Sequence, residues 1–398
     1  MGVYEQVGAR RIINVAGAST RVGGALMSPE VVKAISAAAA ESASLIELQS
    51  AASRLIAEVT GAEAGYVTSG AAAGLTLGTA AILAGLDLGK IEKLPETTDM
   101  KKEFIISRDH RNGYDHSIRL AGAKFIEVGM NEQVAGAGVR RTESWEYDVA
   151  VTDDTAGIAY VVKIDSQPPL AEVVKVAQRH NLPVLVDAAA ALPPASNLKR
   201  FIDEGADLVT YSGGKAIRGP QATGIICGDR DLIASIAMQT LDMDEHFEIW
   251  DPPEEFIPKK NLPWIPRHGI GRGFKVSKEQ IVGLMTALKI FVRNNGIFNI
   301  DEQKNYLHIL TNGLRGLPVD SYIVPDGSGQ SQLHILIDEN SLGLSSFNVC
   351  HQLKRGDPGI FPNEMLLSQN TLIISPMNLN GETTELLLER LREILYKA

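Results

Sequence analysis

Pro183-Val-Leu-Val-Asp187 and Asp207-Leu-Val-Thr-Tyr-Ser-Gly-Gly-Lys215 are two short apolar runs, each leading to a polar residue, with Lys215 twenty-eight residues after Asp187. That spacing is one strand–helix–strand step. In an open α/β sheet, ligands collect outside the carboxyl ends of the strands, so parallel neighbours would bring Asp187 and Lys215 to one rim. Upstream, Phe104-Ile-Ile-Ser107, Lys124-Phe-Ile-Glu-Val128 and Ala159-Tyr-Val-Val162 read as further strands, and Gly224-Ile-Ile-Cys227 follows downstream. Helical segments such as Leu170 to His180 and Leu198 to Gly205 fall between most of them. Short apolar strands alternating with helices predict an α/β fold with a mostly parallel sheet covered on both faces.

Farther out, Ser28-Pro29-Glu30 writes a helix start: a capping hydroxyl, proline at the first helical position and an acid near the positive end. A helix is expected from Ser44 to Thr60, stopped by Gly61. Ala64 to Thr68 reads as a strand, with Ser69-Gly70 opening an Ala-rich helix. After Leu241 the character changes. Five prolines between Pro252 and Pro266 predict a long surface loop over 241–268. A long helix follows from Ser277 to about Asn295, and the remainder mixes strands (Leu333–Ile337, Thr371–Ile374) with helices. The expected division is an N-terminal arm, 1–27, a large domain, 28–270, and an interdomain helix with a small α+β domain, 271–398.

The chain has 398 residues, 44% of them hydrophobic, with 38 basic and 48 acidic side chains and a net charge of −10. This is globular composition, and the acidic balance disfavours general nucleic-acid or anionic-membrane binding. Cys227 and Cys350 match no zinc or redox spacing, and a reducing cytoplasm is the simplest reading. The N-terminal stretch MGVYEQVGARRIINVAG lacks the apolar run of a signal peptide. Gly70 to Leu86 is too short and too rich in Gly and Thr for a comfortable membrane span.

Three polar groups fall at the expected strand ends. Ser69-Gly70 at a helix start offers free backbone amides and a favourable dipole to an anion, although the pair reads equally well as a plain cap. A lysine amine such as Lys215 can form a Schiff base with an aldehyde. A carboxylate such as Asp187 can keep a pyridine nitrogen protonated. Together these are the requirements of pyridoxal 5′-phosphate. Two histidines six residues apart, His110 and His116, are poorly placed for one metal on a helix, so no metal is assigned.

Ser69-Gly70-Ala71, Val-Asp187-Ala-Ala and Ser212-Gly-Gly-Lys215, followed by Arg218-Gly-Pro-Gln-Ala-Thr-Gly224, resemble fold-type I pyridoxal phosphate enzymes. Within them the chain is similar to the selenocysteine-synthase-like branch, related to L-seryl-tRNA(Sec) selenium transferase, which also contains D-glucosaminate-6-phosphate ammonia-lyase. Ile13-Asn-Val-Ala-Gly17, Gly23-Gly24, Leu48 to Gly70 and Gly269-Ile-Gly-Arg-Gly-Phe-Lys275 extend the resemblance to nearly the whole chain. It implies the fold-type I transferase fold: a large domain with a mostly parallel, seven-stranded type of sheet, plus a smaller α+β C-terminal domain. By position it makes Lys215 the covalent attachment point and proton shuttle, and Asp187 the partner of the pyridine nitrogen. Ser69, Gly70 and Ala71 would hold the phosphate with help from Ser212, and Ala189 joins the cofactor-binding set. His110, in Ser107-Arg-Asp-His-Arg-Asn112, would cover the ring face, with His116 as runner-up.

The resemblance thins where substrate is recognised. Arg272 and Arg355 are the leading carboxylate-binding candidates, with Arg11 and Arg21 behind them. The implied reaction is removal of the α-proton and β-hydroxyl of a small polar amino acid, D-configured or sugar-derived forms included, giving a 2-oxo acid and ammonia. Racemisation, transamination and selenium transfer onto seryl-tRNA are the alternatives. Absence of an N-terminal extension and the net charge weigh against the last. Ser212-Gly-Gly-Lys215-Ala216 lacks the upstream glycine and following hydroxyl of a nucleotide-binding P-loop. The resemblance also implies a homodimer or an assembly of dimers.

Overall fold

The apolar runs fold as strands. In chain order these are β1 (Ile12–Val15), β2 (Ala64–Thr68), β3 (Glu103–Ser107), β4 (Lys124–Val128), β5 (Thr155–Val161) and β6 (Val184–Asp187), then β7 (Leu208–Ser212), β8 (Gly224–Gly228), β9 (Val319–Pro325), β10 (Ser331–Ile337), β11 (Gly359–Pro362) and β12 (Thr371–Ile374). The computed structural model describes residues 2–130, 141–242, 245–296, 298–326 and 330–396. Strands β2 to β8 lie in the larger of two units, Met27–Gly296; the others lie in a smaller unit, Met1–Leu26 with Ile297–Ala398.

The large unit carries one seven-stranded sheet in the order β2-β8-β7-β6-β5-β3-β4. From β7 to β4 all pairings are parallel, and β8 runs antiparallel between β2 and β7. Val184, Leu185 and Val186, like Leu208 to Tyr211, are buried. A strand covered on both faces has no polar side to show, hence continuous apolar runs rather than alternation. The cap at Ser28 and the stop at Gly61 form as the sequence predicts, and Ser44 proves to be a further cap. Ser28 Oγ accepts from Val31 N–H, Ser44 Oγ accepts from Glu47 N–H, and Gly61 closes its helix at φ +74°.

Two expectations are corrected by packing. The long helix Lys278–Arg293 belongs to the large unit, where it lies along the helix Pro29–Ala39: Lys278 Nζ donates to Ala38 O at 2.7 Å, and Arg293 pairs with Glu30 at 3.5 Å. The boundary therefore falls near 296 rather than 270. The proline-rich stretch is no mere surface loop. In its described part Trp250, Phe256, Ile257 and Leu262 are buried in the core of the large unit. The Phe256 ring is stacked parallel to Tyr66 at 6.1 Å.

The small unit has an antiparallel sheet, β12-β10-β9, whose residues Leu333, Ile335 and Ile337 alternate into a core with Leu307, Leu353, Leu387 and Leu391. The N-terminal arm is part of this unit, because β1 pairs in parallel with β11, Ile12 opposite Gly359 and Val15 opposite Pro362.

Candidate active site

Strand register assembles one rim from five strands. Thr68 at the end of β2 is opposite Gly224 at the start of β8, and Gly224 is opposite Ser212 at the end of β7. On the other side of β7, Thr210 is opposite Asp187 on β6, and Asp187 is opposite Val161 on β5. Adjacent strands lie about 4.8 Å apart, so Ser69-Gly70, Ser212, Asp187 and the turn carrying Lys215 share one edge of the sheet.

At the β2 end of the rim, Gly70 has φ +104° and opens the helix Ala71–Ala84 with no side-chain cap. The first amides of this 14-residue helix are thereby left for an anion. A Cβ on Gly224 would stand 2.5 Å from Gly70 C and 2.6 Å from Ala71 N, so only glycine lets β8 approach the turn this closely. The Ser69 hydroxyl donates to Phe274 O at 3.0 Å. Its proton is thus committed to the 269–275 segment, and an anion here meets Ser69-Gly70-Ala71 chiefly through the backbone.

Asp187 and Lys215 interact electrostatically. Burial raises the Asp187 carboxyl above its usual range, opposed by the Ala189 N–H, which reaches Oδ1 at 3.0 Å, and by the Lys215 charge. Burial lowers the Lys215 ammonium, opposed by Asp187. A cationic ring nitrogen would relieve the first strain, and covalent use of the amine would relieve the second. Asp187 also closes a cleft lined by Tyr160, Val161, Asn112, Tyr114 and Asp115. His110, fully buried, stands beside it. The Val161 N–H donates to its Nδ1 at 3.4 Å, the Tyr160 ring meets it edge-on with centroids 4.5 Å apart, and its Nε2 has no partner among the described residues. An uncapped helix start, a glycine cradle, a half-buried amine electrostatically coupled to a half-buried carboxylate, and a ring nitrogen without a partner among the described residues together fit pyridoxal phosphate, a ligand with a phosphate, an aldehyde and a pyridine.

Other sequence candidates fare differently. Arg272 is half-buried and ion-paired with Asp242. The two glycines before it serve packing, since a Cβ on Gly269 or Gly271 would lie 2.8 or 2.7 Å from Gln239 O, whereas Gly273 faces open space. Arg355 is exposed at the end of the helix Ser346–Arg355 in the small unit, Arg11 is exposed, and Arg21 pairs with Glu364 at 2.7 Å. His116 is exposed and contacts Arg119 at 3.0 Å.

The sequence offers Arg218 only as part of the motif that follows Lys215 and gives it no role of its own. It sits three residues past Lys215 at φ +59°, a conformation costly for a residue with a Cβ. Its N–H donates to Lys215 O at 3.0 Å, closing the lysine turn, and burial lowers its guanidinium pKa. An arginine in a left-handed turn leaves no mark in a sequence. Tyr160 is likewise given no role of its own, hidden in an ordinary strand pattern.

Residues 12–244 match the family described as L-seryl-tRNA selenium transferase. The chain is 27% identical to the D-glucosaminate-6-phosphate ammonia lyase of Salmonella typhimurium (strain 14028s / SGSC 2262), over 100% of this chain and 98% of that protein. It is 29% identical to a 5′-C-glycyluridine monooxygenase-decarboxylase of a Streptomyces species, over 98% of this chain and 92% of the other. A solved structure of D-glucosaminate-6-phosphate ammonia-lyase superposes with a TM-score of 0.82 at 26% identity, covering 100% of this chain and 99% of its own. The cofactor of the present chain is pyridoxal phosphate, its fold is type I, and it belongs to the L-seryl-tRNA selenium transferase family.

Proposed function

We propose that the protein is an ammonia-lyase acting on a small polar amino acid with a β-hydroxyl. The α-proton and the β-hydroxyl leave, and the released enamine takes up water to give a 2-oxo acid and ammonia. The bound pyridoxal phosphate supplies the electron sink for the α-carbon electrons. Lys215 Nζ holds the cofactor and accepts the α-proton, a task suited to an amine that burial keeps from full protonation. Asp187 holds the proton on the pyridine nitrogen, and the Gly70–Ala71 amides with Ser212 hold the phosphate. The electrostatic coupling of the half-buried Asp187 and Lys215 at one rim of the sheet carries this reading. The likeness to an ammonia lyase along the whole chain favours elimination over racemisation, transamination or selenium transfer.

Incubation with a panel of D- and L-hydroxyamino acids and sugar amino acids tests it. A 2-oxo acid and ammonia in equal amounts are expected. An inverted enantiomer, consumption of a 2-oxo acid acceptor, oxygen uptake with carbon dioxide release, or tight salt-sensitive binding of seryl-tRNA would each move the protein to another reaction. The enzyme is further proposed to be cytoplasmic and to work as a homodimer or an assembly of dimers; light scattering that finds an active monomer refutes the latter.

Three substitutions probe the binding groups. Gly224→Ala drives a methyl into the Gly70–Ala71 backbone and is expected to weaken pyridoxal phosphate binding about tenfold or more, read by absorbance titration. If Arg272 receives the substrate carboxylate, it must first leave Asp242. Arg272→Ala should then raise KM by about ten- to a hundredfold, while Asp242→Asn lowers it. Unchanged KM in both variants removes Arg272 from the site.

A further inference from the structure

We propose that His110 serves as a fixed Nε2–H hydrogen-bond donor to an oxygen anion of the bound ligands, not as a proton carrier, and that Val161 and Tyr160 are the positioning residues that make it so. The proposal rests on the pyridoxal phosphate site described above but not on the identity of the substrate.

The Val161 N–H donates to His110 Nδ1 at 3.4 Å. A ring nitrogen that accepts a backbone N–H carries no proton of its own, so the neutral ring holds its proton on Nε2. Nε2 is buried with no partner among the described residues, and a buried donor without an acceptor is a group awaiting one. Tyr160 sets the ring plane. Its ring stands at 75° to that of His110, and its own far end is pinned where the hydroxyl donates to Pro168 O at 3.1 Å. Tyr160 and Val161 both line the cleft that ends at Asp187, so the ring is held from the ligand's side.

The surroundings also oppose protonation. The charged groups facing the ring are Lys163, Asp109 and Arg141. The Asp109 carboxylate, which alone would favour an imidazolium, is paired with Arg141 at 3.3 Å, and Lys163 Nζ donates to Asp109 O. Burial first and the Lys163 charge second push the His110 pKa down to about 4. A ring neutral throughout the working pH range cannot alternate between acid and base, but it keeps its donor in place at every pH.

Nitrogen-15 spectra of the full-length histidine-labelled protein, with and without pyridoxal phosphate, test the tautomer directly. His110 is expected as the Nε2–H form, unprotonated from pH 5.5 to 8. In Tyr160→Ala its pKa should climb toward the ordinary histidine value, and Tyr160→Phe should largely restore the low value by restoring the ring edge. His110→Gln keeps a side-chain N–H and should stay within about tenfold of the wild type. His110→Ala should lose more, in pyridoxal phosphate affinity if the acceptor is the cofactor's phenolic oxygen and in KM if it is the substrate carboxylate. With 3-deoxypyridoxal 5′-phosphate, the affinity difference between His110→Ala and wild type should vanish in the first case and be absent throughout in the second. A proton on Nδ1, a His110 titration between pH 6 and 7.5, or a His110→Gln variant as impaired as His110→Ala overturns the proposal. A failed product assay, with these spectra intact, overturns only the lyase reading.

Discussion

Lys215→Ala is expected to abolish turnover, by at least about a thousandfold, while leaving the protein folded. The amine stands at the sheet rim in an environment that favours its neutral form: burial lowers its pKa, and Asp187 only partly offsets the shift. Borohydride treatment of the wild type followed by peptide mapping should find the cofactor on Lys215 and should leave Lys215→Ala unlabelled. Label on Lys163, whose ammonium already donates to the Asp109 carbonyl, would sink the assignment. The stability consequence has a definite sign. A lysine whose pKa is lower in the folded than in the unfolded chain makes the fold less favourable as pH falls through the unfolded value, and that penalty is present at neutral pH. Removing it should leave the Tm of the cofactor-free variant at pH 7 no lower than that of the wild type. A large drop would mean that Lys215 is a packing residue.

The meeting of Asp187 with Lys215 was legible because it depends on local order: two consecutive strands, one helix apart, that pair in parallel. So were the helix from Leu45 to Thr60, closed by Gly61, and the buried central strands, written by unbroken apolar runs. Contacts that depend on distant chain were not. Nothing in Gly224-Ile-Ile-Cys-Gly228 announces an antiparallel strand inserted between β2 and β7, because a strand buried on both faces reads alike in either direction. Nor does Ile12–Val15 announce Gly359–Pro362 as its partner. Prolines correctly marked an irregular segment after Leu241, yet its Trp250, Phe256 and Ile257 are buried in the core; composition reports backbone irregularity, not depth. The same limit separates the two chemistries of the site. Covalent and electrostatic chemistry follows residue type, so Lys215 and Asp187 could be proposed for it from the sequence. Orientation follows neighbours, so the hold of Val161 and Tyr160 on His110, the left-handed turn at Arg218 and the pairing of Arg272 with Asp242 could not.

Asp187→Asn is expected to separate stability from catalysis. The side-chain oxygen that accepts the Ala189 N–H survives in the amide, so the local turn is kept and only the charge is lost. Burial raises the pKa of this carboxyl in the folded chain despite the attraction of Lys215. The fold therefore holds the protonated acid more tightly than the unfolded chain does. That contribution is fully present at low pH and is lost as pH rises through the raised value, so at pH 7 to 8 the ionised carboxylate burdens the cofactor-free protein. The variant should then melt at the same or a higher temperature at pH 8, with the advantage shrinking toward pH 4. Catalysis should move the other way. The carboxylate is the group that favours a protonated pyridine, and each unit by which that nitrogen's pKa falls removes about 1.4 kcal/mol of differential stabilisation. A loss of two to three units would slow α-proton removal by roughly a hundred- to a thousandfold at saturating pyridoxal phosphate, with exchange of the substrate α-proton for deuterium falling in parallel. Normal turnover in Asp187→Asn, with an unchanged melting profile, would reduce Asp187 to the cap of the turn that follows β6.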